Sequence, residues 1–257
     1  LLDVRLAPAL RARLGLVAEV RAFATTLGLD VGARYTSFAR WPGDRVVTTV
    51  VATPPRSLDP VTHWFPVTGS VPYLGFFDLA HAEREAERQR ARGNDVCVSA
   101  VAAYSTLGWL DDPVVEPMLR HGDGWLVETL LHELMHHTAY VAGDAAWNEG
   151  LATYVGEEAS VAFFAARALN GGDTAAADAE RARIDDGRLV ATRLARLRED
   201  IATLYADPTR DARQRDEART RLANDARSDI ALLPFARASS SATAAHVRLG
   251  DACLALE

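Results

Sequence analysis

The sequence predicts an α+β fold that is mainly α-helical, with a small β-sheet and a C-terminal helical hairpin. Three observations predict it. Apolar residues recur at helical spacing over residues 8–28, 125–168 and 174–227. Val/Thr/aromatic runs at 34–39, 45–53 and 95–103 have strand character. Turn residues separate these blocks at Trp41-Pro42-Gly43-Asp44, Gly122-Asp123-Gly124, Gly143-Asp144 and Asn170-Gly171-Gly172-Asp173.

The first helix is expected over 8–28, with Leu10, Leu14, Val17, Val20 and Leu27 on one stripe, Pro8 in its first turn and Gly28 at its end. Strands at 34–39 and 45–53 are expected to flank the Trp41–Asp44 turn, stopped by Pro54-Pro55. Residues 56–78 read as a long irregular loop rich in aromatics, and loops of that length often carry function. A charged helix follows over 79–92, then a strand from Asp95 to Ala103, with residues 104–109 continuing it or turning out of it. Asp111-Asp112-Pro113 is expected to start a short helix to about Arg120. Asp123 is positioned to cap the next helix, about 125–140, and Asp144 the one after, about 145–168. Val190, Leu194, Leu197, Ile201 and Leu204 form a heptad-like stripe broken by Pro208, and residues 213–227 return as the second arm of a hairpin. Ser239-Ser240-Ser241 precedes a last amphipathic helix containing Cys253. The expected division is a catalytic domain over 1–173 and a helical region over 174–257, packed on it as an arm or a lid.

Composition narrows the function. The chain has 257 residues and a net charge of −7, which argues against nucleic acid as a main partner. All basic residues are arginine. No apolar run approaches the ~18–20 residues of a membrane span. Because the chain begins at Leu1 rather than Met, removal of an N-terminal piece is expected. A signal peptide or lipid anchor would make this a periplasmic or envelope protein; otherwise it is cytoplasmic. Cys97 and Cys253 lie far apart and form no Cys-x-x-Cys pair, so two buried thiols are expected in preference to a disulfide.

The chemistry concentrates in Leu131-His132-Glu133-Leu134-Met135-His136-His137. His132 and His136 are four residues apart and share a helix face, so both can ligate one zinc ion. Glu133 is turned about 100° away, beside the metal rather than on it, where a general base belongs. A third ligand is supplied by Glu149, thirteen residues after His136 and early on a second helix that the Ala142–Asp144 turn folds back. His137 points to another face and reads as a neighbour rather than a ligand. The expected reaction is amide hydrolysis by a zinc-activated water, with Glu133 as general base and proton carrier. Tyr104 or Tyr154 is the second oxyanion stabiliser, Tyr104 being preferred. Asp144 either orients a ligand histidine or simply caps its helix. Asn148 either supports the site or caps locally.

Residues 147–154 resemble the Asn-Glu-Gly-x-Ala-x-Tyr segment of aminopeptidase N-like gluzincins. Over about residues 8–160 the chain resembles a bacterial family named as predicted aminopeptidases. The matching segments are residues 103–109 with Asp112-Pro113, Gly75-Phe76-Phe77-Asp78, His132–His136, and Gly143-Asp144 with Trp147-Asn148-Glu149. Phe76 stands where that family tends to have Tyr, and His137 where it tends to have Gln. The resemblance implies a zincin-like metallopeptidase domain holding one zinc ion on His132, His136 and Glu149, with Glu133 as the acid/base and peptides as substrates. The Gly-x-Met-Glu-Asn segment that binds the substrate amine in aminopeptidase N is absent; Asp111, Asp112 and Glu116 are the acidic candidates for that role. A zinc endopeptidase with the same site and a non-catalytic zinc-containing envelope binding protein are the alternatives.

Overall fold

The structure, a computed structural model, describes residues 7–66, 68–101, 112–236 and 251–254. In chain order the elements are helix α1 (Pro8–Thr26), strands β1 (Phe38–Ala39), β2 (Val47–Thr53), β3 (His63–Phe65), β4 (Gly69–Val71) and β5 (Leu74–Phe76), helix α2 (Leu79–Ala91), strands β6 (Asp95–Val101) and β7 (Val114–Val115), a 3₁₀ turn (Glu116–Arg120), and helices α3 (Asp123–Thr138), α4 (Ala145–Leu169), α5 (Ala176–Ala206), α6 (Ala212–Ala231) and α7 (Asp251–Leu254). The mainly helical α+β expectation holds.

The chain forms two compact units. One comprises Leu1–Thr48, Trp64–Val71 and Ala100–Glu180; the other comprises Thr49–His63, Pro72–Ser99 and Arg181–Glu257. The second unit therefore takes two segments from the first half of the chain.

The first unit is built around α3. Its buried residues Leu126, Val127, Leu130, Leu131 and Leu134 pack with Leu14, Val17 and Val20 of α1 and with Phe163 and Phe164 of α4. Spacings of three and four put these side chains on one stripe. The stripe buries the helix along its length and leaves its other faces for polar work. α3 ends where Thr138 Oγ1 donates to the Leu134 carbonyl at 2.8 Å and Ala139 turns extended. Asp123 does not cap this helix: Gly122 is the N-cap, and Asp123, the first helical residue, pairs with Arg13 of α1. Its charge still suits the positive helix end. Asp144 does cap α4, accepting from Trp147 N at 3.0 Å.

Residues 34–53 are not a hairpin. β1 pairs in parallel with β7, Phe38 opposite Val114, while β2 is the middle strand of a sheet ordered β5-β2-β6. The reason is visible in β2 itself, which is buried on both faces along nearly its whole length. Such a strand belongs inside a sheet. The turn is still present, with Trp41 Nε1 donating to the Arg45 carbonyl at 2.9 Å. The stretch 56–78 also proves more ordered than expected, since β3, β4 and β5 lie in it. Residues 114–120 form a short strand and a 3₁₀ turn where a short helix was expected.

In the second unit, α5 and α6 form the expected hairpin. Leu194, Leu197 and Ile201 meet Ala226 and Ile230 in a common core. Asp211 and Gln214 cap α6 reciprocally. The cysteine expectation is corrected: Cys97 on β6 and Cys253 on α7 form a disulfide with Cα atoms 5.0 Å apart. Sequence separation hid the pairing; the fold brings both residues against Val51. Residues 237–250, including Ser239–Ser241, lie outside the described residues. Among the described residues no helix is long and apolar enough to cross a membrane.

Candidate metal centre

α3 and α4 form a helix hairpin, and the geometry that matters is at its facing turns. His132 Nε2 and His136 Nε2 are 3.1 Å apart. Glu149 Oε2 lies 3.4 Å from His132 Nε2 and 3.6 Å from His136 Nε2. Ligand atoms held about 2.1 Å from a tetrahedral zinc are separated by roughly 3.4 Å. The three atoms therefore already stand near the corners of one face of such a tetrahedron. His132 and His136 are largely covered, whereas Glu149 is half exposed. His136 Nδ1 is buried with no hydrogen-bond partner among the described residues. The donor set is two imidazoles and a carboxylate, which suits zinc.

The turn between the helices is fixed from several sides. Asn148, 2 % exposed, both accepts from Val141 N and donates to Val141 O, each at 2.8 Å. Asn148 therefore clamps the turn one residue before Glu149. Just before β4, the Thr68 carbonyl accepts from Gly143 N at 3.1 Å and from the Tyr140 hydroxyl at 3.2 Å. The backbones approach so closely here that a Cβ on Gly69 would sit 2.7 Å from Gly143 N.

The electrostatics follow from crowding. Desolvation alone would raise the Glu149 carboxyl, but hydrogen bonds to His132 and His136 bring it down to about 2. For His132, burial works against the charged ring. Its bond to Glu149 and the nearby Glu133 and Glu149 charges outweigh that and raise its pKa. Burial raises the Glu133 carboxyl, against the opposing pull of His132 and His136. The group that reads as a base is thus held at a higher proton affinity than the group that reads as a ligand.

The profile of the putative aminopeptidase family matches residues 1–245. The chain belongs to that family. Neither the curated proteins nor the solved structures include a match to it.

Other residues singled out in the sequence separate clearly. Tyr154 is 62 % exposed on α4, so packing in the core is not its role. Tyr104 and Asp111 lie outside the described residues. Asp144 serves as the N-cap of α4. Asp112 is 3 % exposed and turned inward, with its Oδ2 3.5 Å from His137 Nε2. Glu116 pairs with Arg120 at 3.3 Å across one turn. His137 stands apart from the three clustered ligand atoms.

Sequence reasoning missed Gly156. It lies seven residues, two turns, after Glu149 and so on the same face of α4. A Cβ there would come within 3.0 Å of the Glu128 carbonyl, 3.1 Å of His132 Cβ and 3.3 Å of His132 N. Gly156 lets α4 lie directly on the backbone of α3 beside the first histidine. Its signal in the sequence is a glycine inside a long helix, where it costs about 1 kcal/mol relative to Ala and needs a reason. If the cluster holds a metal, Gly156→Ala is expected to improve helix propensity yet lower metal affinity about ten- to a hundredfold, because separating the helices moves Glu149 off the histidines. Competition titration with a chromophoric chelator reads this directly.

Proposed function

We propose that the chain is a zinc-dependent metallopeptidase of zincin-like architecture, acting as an aminopeptidase, with catalysis residing in residues 1–173. The observation that carries the reading is the near-tetrahedral spacing of His132 Nε2, His136 Nε2 and Glu149 Oε2, of which Glu149 is half exposed. Three protein ligands with one open position mark catalytic rather than structural zinc sites. A zinc ion held there would lower the pKa of a water toward ~7 and polarise a peptide carbonyl.

The chain's own residues divide the remaining work. Glu133, one residue past the first ligand and raised by burial, takes a proton from the attacking water and passes it to the leaving amine. Asn148 and the Thr68 carbonyl fix the turn from which Glu149 is presented to the two histidines. Tyr104, in preference to Tyr154, supplies a second donor to the oxyanion. Peptides are the substrates.

Metal uptake should depend on pH in a defined direction. In the metal-free protein the His132–Glu149 pair stabilises the fold with His132 protonated. The lowered Glu149 contributes above its ordinary value of 4.5 and loses that contribution as pH falls through about 2. The raised His132 contributes below 6.5 and loses that contribution as pH rises through its folded value. Zinc requires the neutral ring. The zinc-induced rise in Tm is therefore expected to grow from mildly acidic to mildly alkaline buffer, as scanning calorimetry with and without zinc would record; a rise independent of pH would contradict these ligands.

Assay of aminoacyl p-nitroanilides against N-blocked peptides, before and after chelation, tests the activity. Turnover of the free-amine substrates, lost on chelation and restored by zinc, is expected. Turnover of blocked peptides alone would make it an endopeptidase. Binding of zinc with turnover of neither would leave a binding protein.

A further inference from the structure

One short hairpin stands beside the candidate metal centre without burying itself. Among the described residues β3 and β4 pair only with each other. On β3 the neighbouring side chains of Trp64 and Phe65 point to opposite faces, yet they are 70 % and 40 % exposed. Neither aromatic is packed away in the core. A two-stranded hairpin is marginal by itself, and this one is held by the turn that joins the two ligand helices. Between its strands, the Thr68 carbonyl accepts from Gly143 N and from the Tyr140 hydroxyl. Gly69 and Gly143 meet there with φ of +73° and +84°, backbone that favours glycine. Asn148 fixes the other side of the same turn, one residue before Glu149. The hairpin and Glu149 are thus carried by one short piece of backbone, within one compact unit.

The surface so placed is uncharged. Residues 60–77 contain no Asp, Glu, Lys or Arg, and neither do residues 138–143, in a chain whose charged fraction is 25 %. Val141, in the joining turn, adds a third exposed apolar side chain. Open apolar surface beside a few converging polar atoms is the make-up of a small-molecule or side-chain pocket. Trp147 is the contrast. It is also exposed and only two residues before Glu149, but two residues turn a helix by about 200°, to the opposite face of α4.

We propose that the β3–β4 hairpin is the side-chain subsite of the metal centre: Trp64 and Phe65 receive a large apolar or aromatic residue at the amino terminus of the peptide. The proposal rests on the aminopeptidase reading and names its substrate class. The tie to the ligand turn assigns the surface to substrate, since a surface for another protein needs no fixed relation to Glu149. With no charge lining it, the subsite discriminates against acidic and basic side chains by desolvation.

The test compares the p-nitroanilides of L-Phe, L-Leu, L-Ala and L-Glu on wild type, Trp64→Ala/Phe65→Ala and Trp147→Ala. Tm and zinc affinity are measured on the same samples. Calorimetric binding of L-phenylalaninamide to zinc-loaded Glu133→Gln protein, with and without the hairpin substitutions, gives a readout that needs no turnover. Wild type is expected to favour Phe and Leu over Ala and Glu by about tenfold or more in kcat/KM. The hairpin variant should lose about ten- to hundredfold on Phe and Leu, stay within about threefold on Ala, and bind the amide correspondingly more weakly, with Tm and zinc affinity unchanged. Trp147→Ala should behave as wild type. A wild-type protein indifferent to the side chain overturns the proposal, as does a hairpin variant that keeps its preference and its amide binding. Equal loss on all four substrates, or the same loss in Trp147→Ala, also overturns it, because the effect would then be general. Turnover of none of the four by wild type removes the aminopeptidase reading, and the proposal with it.

Discussion

Replacing Glu133 by Gln is expected to lower kcat about 10²–10⁴-fold, the usual worth of a general base, while leaving zinc binding intact. Gln keeps the size and shape of the side chain but accepts no proton at neutral pH. On the proposed reading the ligand atoms belong to His132, His136 and Glu149, which are the three described residues that could hold a metal, so none of them is lost. Burial already disfavours the charged Glu133, so removing that charge should leave Tm the same or slightly higher. Loss of zinc together with activity would instead mean that Glu133 helps to hold the metal. Undiminished turnover in a zinc-loaded Glu133→Gln protein would remove it from the chemistry altogether.

Loss of the Cys97–Cys253 disulfide should produce the largest change in stability. The bond spans 156 residues, and closing a loop of that length restricts the unfolded chain by about 5 kcal/mol on the chain-entropy estimate. Measured losses of native disulfides run to about 2–5 kcal/mol, so the midpoint of urea unfolding should fall clearly in Cys97→Ser/Cys253→Ser. The bond holds α7, only four residues long, against β6, and Arg198 adds hydrogen bonds to the carbonyls of Leu254 and Leu58 at 3.0 and 3.1 Å. Leu254 also packs into the core with Leu58, Leu194 and Ile201, so the disulfide reinforces a segment that already buries apolar surface. An unchanged midpoint would mean that the C-terminal segment contributes nothing to the second unit. On the proposed ligand set, whose three residues all lie in the first unit, zinc affinity should not change in this variant.

The helices of the candidate metal centre were legible because their signals are local. Helical spacing placed Leu126 to Leu134 inside, and the four-residue interval put both histidines on one face. The capping Asp144 and the Gly143 turn announced the return of α4 toward α3. Pairing of distant segments was not legible. β1 pairs with β7, seventy-six residues away in register, and nothing local in Phe38-Ala39 specifies Val114 as its partner. The disulfide was hidden for the same reason. Gly156 escaped notice differently: its place depends on what a neighbouring helix does to the space around it. A glycine in mid-helix breaks a local rule, and only the close approach of α3 explains it.

The central claim is a zinc ion on His132, His136 and Glu149. X-ray absorption at the zinc edge, on metal-stripped protein reloaded with one equivalent, tests it most directly. The predicted result is one tight site per chain with only nitrogen and oxygen neighbours at about 2.0–2.2 Å, two of them showing imidazole scattering, and one imidazole contribution lost in His136→Ala. Sulfur in the first shell, four protein ligands, or zinc that binds His136→Ala as tightly as wild type would contradict it.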